Sequence, residues 1–269
     1  MKKHFKLGII GCGSMAQSIL KGVVLSDFLS EKKIAVSDIS EDKLDAIENL
    51  GVFATLENKF VAENCEFLIL AVNPENFKDA VKSLGGYKPE KIISIIQGVT
   101  KNEIKNEFGA DGLKVARCTL NLPCAVGSGI IGIDMSDYNG SVADTEFISK
   151  TFDCVGTVLS IDESKINAAT ALGVGGPAAA FMFIDSLIDA GVKQGLTRDE
   201  ANILAIQSVI GAVDMLDTEN SSLSELTVKA CKGNSAIEAV KVFENGNFRG
   251  VVSDGIEACA KRLKGASDK

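Results

Sequence analysis

The stretch that most constrains this chain is Gly11-Cys12-Gly13-Ser14-Met15-Ala16, because few folds place two glycines so close between a strand and a helix. The apolar run Leu7 to Ile10 predicts a strand ending at the first glycine. Ser14 to Val24 predicts a helix, with Met15, Ile19 and Val23 recurring on one face. In such a unit Gly11 permits the tight turn, Gly13 lets the backbone approach a pyrophosphate at the helix N-terminus, and Ala16 keeps helix and sheet close. The spacing therefore predicts dinucleotide binding, with Gly11, Gly13, Ser14, Met15 and Ala16 as cofactor contacts.

The pattern continues as alternating short apolar runs and amphipathic stretches. Strands are expected at Ile34 to Val36, Phe67 to Val72, Ile92 to Ile96, Leu113 to Cys118, Gly129 to Ile133 and Thr157 to Ile161. Ser40 is expected to cap a helix that carries Glu41 and Asp42 in its first turn and stops at Gly51. After Asp162 only helical patterns remain, with capping-box spacing at Thr197/Glu200 and Ser222/Glu225. The fold class is thus α/β: a Rossmann-type doubly wound sheet in residues 1–162, followed by an all-helical domain in residues 163–269. Ala168 to Ile184 is uncharged but interrupted by Gly173, Gly175, Gly176 and Pro177, which predicts a buried helix pair in place of a membrane span. The helix from about Pro177 to Lys193 is small or apolar almost all round, so a second copy of the chain is expected to cover it.

Composition narrows the function. A net charge of −8 argues against nucleic acid and against an anionic membrane surface. Seven scattered cysteines without a CxxC pair and a single histidine, His4, predict no metal site and a reducing, cytoplasmic setting. Asp38 follows the second strand, where a carboxylate reads the adenosine ribose. Asn73, closing Ala71-Val72-Asn73-Pro74, and Asn121, after the strand containing Arg117, lie at strand ends where a cofactor would pass; a plain turn is the rival reading for Asn73 and a loop-capping role for Asn121. Cys231 to Ala236 breaks the C-terminal helices. Its backbone N–H groups suit a carboxylate, although Ser235 and Glu238 also have the spacing of an ordinary capping box.

With these blocks in view, the chain from Leu7 to about Arg262 resembles the pyrroline-5-carboxylate reductases. The resemblance is carried by Gly8 to Ala16, Ala71 to Pro74, Ser94 to Val99, Arg117 to Gly129, Thr170 to Ala178, Asp189 to Val192 with Gly195-Leu196, and Gly246 to Gly250. It implies NAD(P)H-dependent reduction of a small cyclic imino acid, 1-pyrroline-5-carboxylate to proline, by helical domains interlocked as a homodimer or an assembly of dimers. Gly175, Gly176, Gly233, Asn234, Ser235 and Ala236 are then the expected substrate contacts, with Ser235 and Lys232 near the imine nitrogen. Imine reduction suits a site with few titratable groups.

The chain departs from the family at several of these positions. The family usually has Lys at Asn73, Pro-Asn-Thr-Pro at Leu120 to Pro123, and Ser-Gly-Ser-Gly-Pro-Ala-Tyr at Gly173 to Ala179. Its Ser-Pro-Gly-Gly-Thr-Thr loop stands here as Cys231 to Ala236, so the last hydroxyl is lost at Ala236. Asp38-Ile39 replaces the Asn-Arg or Ser-Arg of many NADPH users, which favours NADH. Two rival readings accompany this one: a β-hydroxyacid dehydrogenase, for which Lys165 would have to serve as the acid/base, and a nucleotide-binding regulatory relative without catalysis.

Overall fold

A computed structural model describes residues 4–110, 112–218, 221–233 and 235–267. Its contacts divide the chain into two compact units, Met1–Val174 with Cys259–Lys269, and Gly175–Ala258.

The first unit is built on eight strands: β1 (Phe5–Ile10), β2 (Ile34–Ser37), β3 (Phe53–Thr55), β4 (Cys65–Leu70), β5 (Lys91–Ser94), β6 (Lys114–Thr119), β7 (Gly129–Asp134) and β8 (Gly156–Ser160). They form one sheet in the order β3-β2-β1-β4-β5-β6-β7-β8. Every neighbouring pair is parallel except β6 and β7. The central strands read as unbroken apolar runs because helices cover both of their faces. Ile9 stands between Val36 and Ile69 and packs with Ile19, Leu20 and Phe67 on one side; Ile10 packs with Val61, Leu68 and Ile104 on the other.

The helices of this unit are α1 (Ser14–Leu25), α2 (Glu41–Asp45), α3 (Asn58–Asn64), α4 (Phe77–Lys82), α5 (Lys101–Phe108), α6 (Val142–Asp153) and the first turns of α7 (Ile166–Lys193). Each expected strand is present, and two details differ. The edge strand β3 has no counterpart in the expectations: no strand is expected at the apolar run Val52 to Ala54, and the three residues of β3 are exposed or half-exposed. Ser40 stands at the N-cap of α2 but makes no side-chain cap bond. That helix ends at Asp45, and a separate short turn at Glu48–Leu50 reaches Gly51, which takes the left-handed conformation.

α7 is the larger correction. The expected helix pair is one continuous helix that runs through its glycines and Pro177. A proline inside a helix removes one N–H and strains one turn; here the carbonyl left over is met from outside the helix, as described below.

The second unit holds the rest of α7 with α8 (Arg198–Thr218), α9 (Leu223–Cys231), α10 (Ala236–Asn245) and most of α11 (Phe248–Ser267). Both expected capping boxes are formed. Thr197 and Ser222 take N–H bonds from Glu200 and Glu225, whose carboxylates reach back to the cap backbone. The apolar core is small: Ile188, Ala201 and Ala205, with Ile184 and Leu187 against them. Larger side chains stay outside it, among them Phe181 (57% exposed) and Met182 (74% exposed).

Candidate active site

The site begins where β1 turns into α1. Gly11 has φ +96°, and a Cβ there would stand 2.6 Å from the carbonyl oxygen of Ala71. Its N–H donates to the Ser37 carbonyl at 2.8 Å, and the Ala71 N–H donates to the Ile10 carbonyl at 2.8 Å. The turn is thus tied to the ends of both β2 and β4. Gly13 differs: a Cβ would meet no protein atom within 4 Å. It opens α1, whose first turn has neither a side-chain cap nor an acidic residue. Free N–H groups and the positive end of the helix dipole therefore face open space over a bare backbone, which fits a dinucleotide pyrophosphate. Cys12, inside the turn, is no nucleophile: burial, helped by the charge of Asp38, pushes its thiol up to about 11.

Asp38, 6% exposed, serves the turn directly. One oxygen accepts the Cys12 N–H at 2.7 Å and the other the Ser40 N–H at 3.0 Å. Lys43 stands 3.4 Å from both oxygens, with its side chain half exposed. Asp38 and Lys43 line a cavity of about 260 Å³ with Gly11, Gly13, Ala71, Val72 and Asn73. The sequence reading missed Lys43 because the spacing Asp38–Lys43 means little until α2 folds back toward the strand end.

Ala71, Val72 and Asn73 also border a second cavity, of about 270 Å³, beyond the ends of β4, β5 and β6. Met15, Pro74, Ile95 to Gly98, Arg117 to Leu120, Ile166 and Thr170 complete its lining. The two cavities share Ala71, Val72 and Asn73 at the point where strand order reverses, the place where ligands of such sheets bind. Arg117 is the one charged side chain of this lining. Its guanidinium lies 3.4 Å from Glu163 and donates to Asn167 at 3.1 Å. Thr119 and Thr170, also missed from sequence, bring their hydroxyls within 2.7 Å of each other.

Behind this half stands a buried charge network. Lys101 uses its ammonium hydrogens on Asp134 (2.7 Å), Ser136 (2.6 Å) and Asp137 (2.9 Å). Its backbone N–H donates to Glu163, whose own N–H donates to Asp134. Burial alone would raise the Asp134 carboxyl; hydrogen bonds from Lys101 and Ser136 reverse this and hold it below the usual carboxylate range. Burial likewise works to lower Lys101, and its bonds to Asp134 and Asp137 raise it above the usual value. The network fixes the start of α5, the end of β7 and the turn that leads into α7.

Asn121 lies outside both linings. Its Nδ2 donates to the Gly173 carbonyl at 3.1 Å, and its Oδ1 accepts the Ile130 N–H at 3.0 Å. Gly173 is four residues before Pro177, so its carbonyl is the one left without a helical partner. Asn121 supplies that partner. Ser14 and Ala16 do not line the cavities either; Ala16 lies on the buried face of α1.

The remaining predicted contacts belong to the second unit. Gly233 has φ +72° with open space beside it. Ser235 precedes α10 without a side-chain cap bond, so the alternative capping box with Glu238 is not formed. Lys232 and Ser235 are exposed and Ala236 is half-buried. Asn234 lies outside the described residues. On α7, a Cβ on Gly175 would reach within 2.6 Å of Ile256, so that glycine lets α11 approach, whereas Gly176 has free space.

Comparison with known proteins gives the following. Residues 163–266 match the family described as pyrroline-5-carboxylate reductase dimerisation. Residues 6–98 match the family described as NADP oxidoreductase, coenzyme F420-dependent. The chain is 31% identical to a pyrroline-5-carboxylate reductase of Aquifex aeolicus, over 96% of each chain. It is also 31% identical to one of Arabidopsis thaliana, covering 97% of this chain and 95% of that one. Among solved structures, a pyrroline-5-carboxylate reductase from Coxiella burnetii superposes with a TM-score of 0.87 at 29% identity, covering 98% of this chain and 99% of that one.

Proposed function

The chain belongs to the pyrroline-5-carboxylate reductase family, and from that premise we propose that it reduces 1-pyrroline-5-carboxylate to proline with NAD(P)H. In this reading NADH is favoured, and the enzyme works in the cytoplasm as a homodimer or an assembly of dimers. Residues 1–162 hold the dinucleotide, and residues 163–269 supply the substrate contacts and the subunit interface. The observation that carries the proposal is the open helix start at Gly13, leading into a cavity whose single charged side chain is already paired.

When bound, the reduced nicotinamide supplies a hydride for the imine carbon. The protein's own part is to hold and orient. Gly11, Gly13 and the start of α1 carry the pyrophosphate. Asp38 meets the ribose hydroxyls, and Lys43 beside it tempers the preference for NADH. The backbone of Gly233 to Ala236, with Gly175 and Gly176, receives the substrate, and Lys232 and Ser235 stand near the imine nitrogen. A protonated imine is already electrophilic, so the absence of a catalytic acid from the described cavity lining agrees with this reaction. Lys165, which a β-hydroxyacid dehydrogenase would need inside the cavity, is exposed and outside its lining.

α7 with the turn before it, residues 163–193, is long and apolar enough by composition to cross a membrane. The match of 163–266 to a dimerisation family favours a second copy as its cover.

Initial rates with NADH and NADPH against pyrroline-5-carboxylate, a six-membered cyclic imino acid and a set of hydroxyacids test the reading. Turnover is expected with a cyclic imino acid, fastest with NADH. Ser235→Ala and Lys232→Ala should each lower it about tenfold while leaving dinucleotide affinity unchanged. Oxidation of a hydroxyacid, or dinucleotide binding without any imine reduction, would overturn it.

A further inference from the structure

Pro74, Gln97 and Gly98 line the cavity beyond the ends of β4, β5 and β6, and the same three residues line two spaces next to it. One is a groove between α4 and α5, where Glu75, Glu103 and Glu107 set three carboxylates against the single ammonium of Lys78. The other, of about 270 Å³, is walled by Pro74, Val174, Cys259 and Leu263; among the described residues its one charged side chain is Arg262. Thr170 lines this space as well as the first cavity, and Val174 follows it one turn later on the same face of α7. Cys259 and Leu263 repeat that spacing on α11. All of these residues belong to the first unit.

We propose that the apolar space takes the ring of the cyclic imine and that Val174 limits the ring size the enzyme accepts. The inference rests on the imine-reduction reading above and goes beyond it by assigning a residue to substrate choice. A cyclic imino acid is an apolar ring carrying a carboxylate, and its imine carbon must reach the cavity proposed for the nicotinamide. The acidic groove repels that anion, whereas apolar walls with one cation suit it. The family's Ser-Gly-Ser-Gly motif has glycine where Val174 stands, so this chain adds three side-chain carbons to the wall. Inside a helix a β-branched side chain keeps largely to one χ1 rotamer, so this bulk does not swing aside. A ring larger by one methylene has to occupy room that the isopropyl group fills, and one methylene in an apolar pocket changes selectivity about tenfold or more.

The test measures kcat/KM for pyrroline-5-carboxylate and for its six-membered homologue, with the better dinucleotide at saturation. The proteins are the full chain, Val174→Ala, Val174→Gly and Val174→Ile, each checked for its melting temperature and its KM for the dinucleotide. The unaltered chain should favour the five-membered ring. Val174→Ala should raise the six-membered ring relative to the five-membered one about fivefold and Val174→Gly about tenfold, while Val174→Ile should lower that ratio, all with the dinucleotide KM within about twofold. A ratio that stays the same in Val174→Ala and Val174→Ile would overturn the proposal and leave imine reduction standing, as would an unaltered chain that prefers the six-membered ring. An unaltered chain that reduces neither ring would overturn the imine-reduction reading itself, and this proposal with it.

Discussion

The two loops that open α1 and α10 make the same offer, a glycine turn leading into a helix N-terminus, and the chain treats them differently. At Gly11 to Gly13 the turn is held from outside: Ser37, Ala71 and Asp38 fix Gly11 and Cys12, while Gly13 and the helix start after it face open space. At Lys232 to Ala236 the described residues are mostly exposed, and Ser235 makes no cap. The surrounding units repeat the contrast. The central strands β1, β4 and β5 bury their Leu, Ile and Phe side chains on both faces, while the helices of 175–258 leave large apolar groups such as Phe181 and Met182 exposed. In the proposed reading the first site is built from one chain, and the second is one that a second copy would finish.

The strongest way to break this contrast is to charge the apolar face. Met182→Glu on α7 together with Ile203→Glu on α8, both exposed apolar positions, should convert the dimer to a monomer by light scattering and lower turnover at least about 100-fold. Dinucleotide affinity should stay within about twofold, because in this reading that site is built from one chain. A fully active monomer would contradict the division of labour.

Lys101→Met probes the closed half from within. Removing one partner of this buried cluster should cost about 3–5 kcal/mol of stability at neutral pH, read by urea unfolding. The sign with pH follows from the shifts. Asp134 is held below its usual value, so its contribution is present above about pH 4 and is lost as pH falls through its folded value. Lys101 is raised, so its contribution is present below about pH 10.5 and is lost as pH rises through its folded value. The contribution of these two groups should therefore be flat between these limits, and Lys101→Met should lose much of the acid-side fall.

A subtler probe is Asn121→Ala, which leaves the Gly173 carbonyl without a partner and should cost about 1–3 kcal/mol. In a Pro177→Ala background that carbonyl regains a helical N–H, so the same substitution should cost clearly less. Equal costs in both backgrounds would show that the amide does not serve the proline. The smallest effect is at the adenosine end: Lys43→Ala should raise KM for NADPH about tenfold more than for NADH, or about 1.4 kcal/mol, measured in parallel assays.

How much of this was legible in the sequence divides along the same line. The glycine turn, the strand runs and both capping boxes are local patterns whose partners lie close in the chain, and the structure contains them. β3 escaped notice because Val52 to Ala54 is only three residues long and the strand, paired with β2 alone, lies mostly exposed at the sheet edge. The break expected at Gly173 to Pro177 is absent because its remedy, Asn121, lies some fifty residues away and shows no periodicity. Thr119, Thr170 and Lys43 were invisible for the same reason: each acquires meaning only from a residue that the sheet brings beside it.

The central claim is tested most directly by following the hydride. The purified enzyme is given NADH carrying deuterium at both C4 positions together with 1-pyrroline-5-carboxylate, and the product is read by mass spectrometry and NMR. The account predicts proline with one deuterium, bonded to C5, and consumption of one NADH for each proline formed. Dinucleotide bound at the glycine turn with no deuterium delivered to C5 would contradict it.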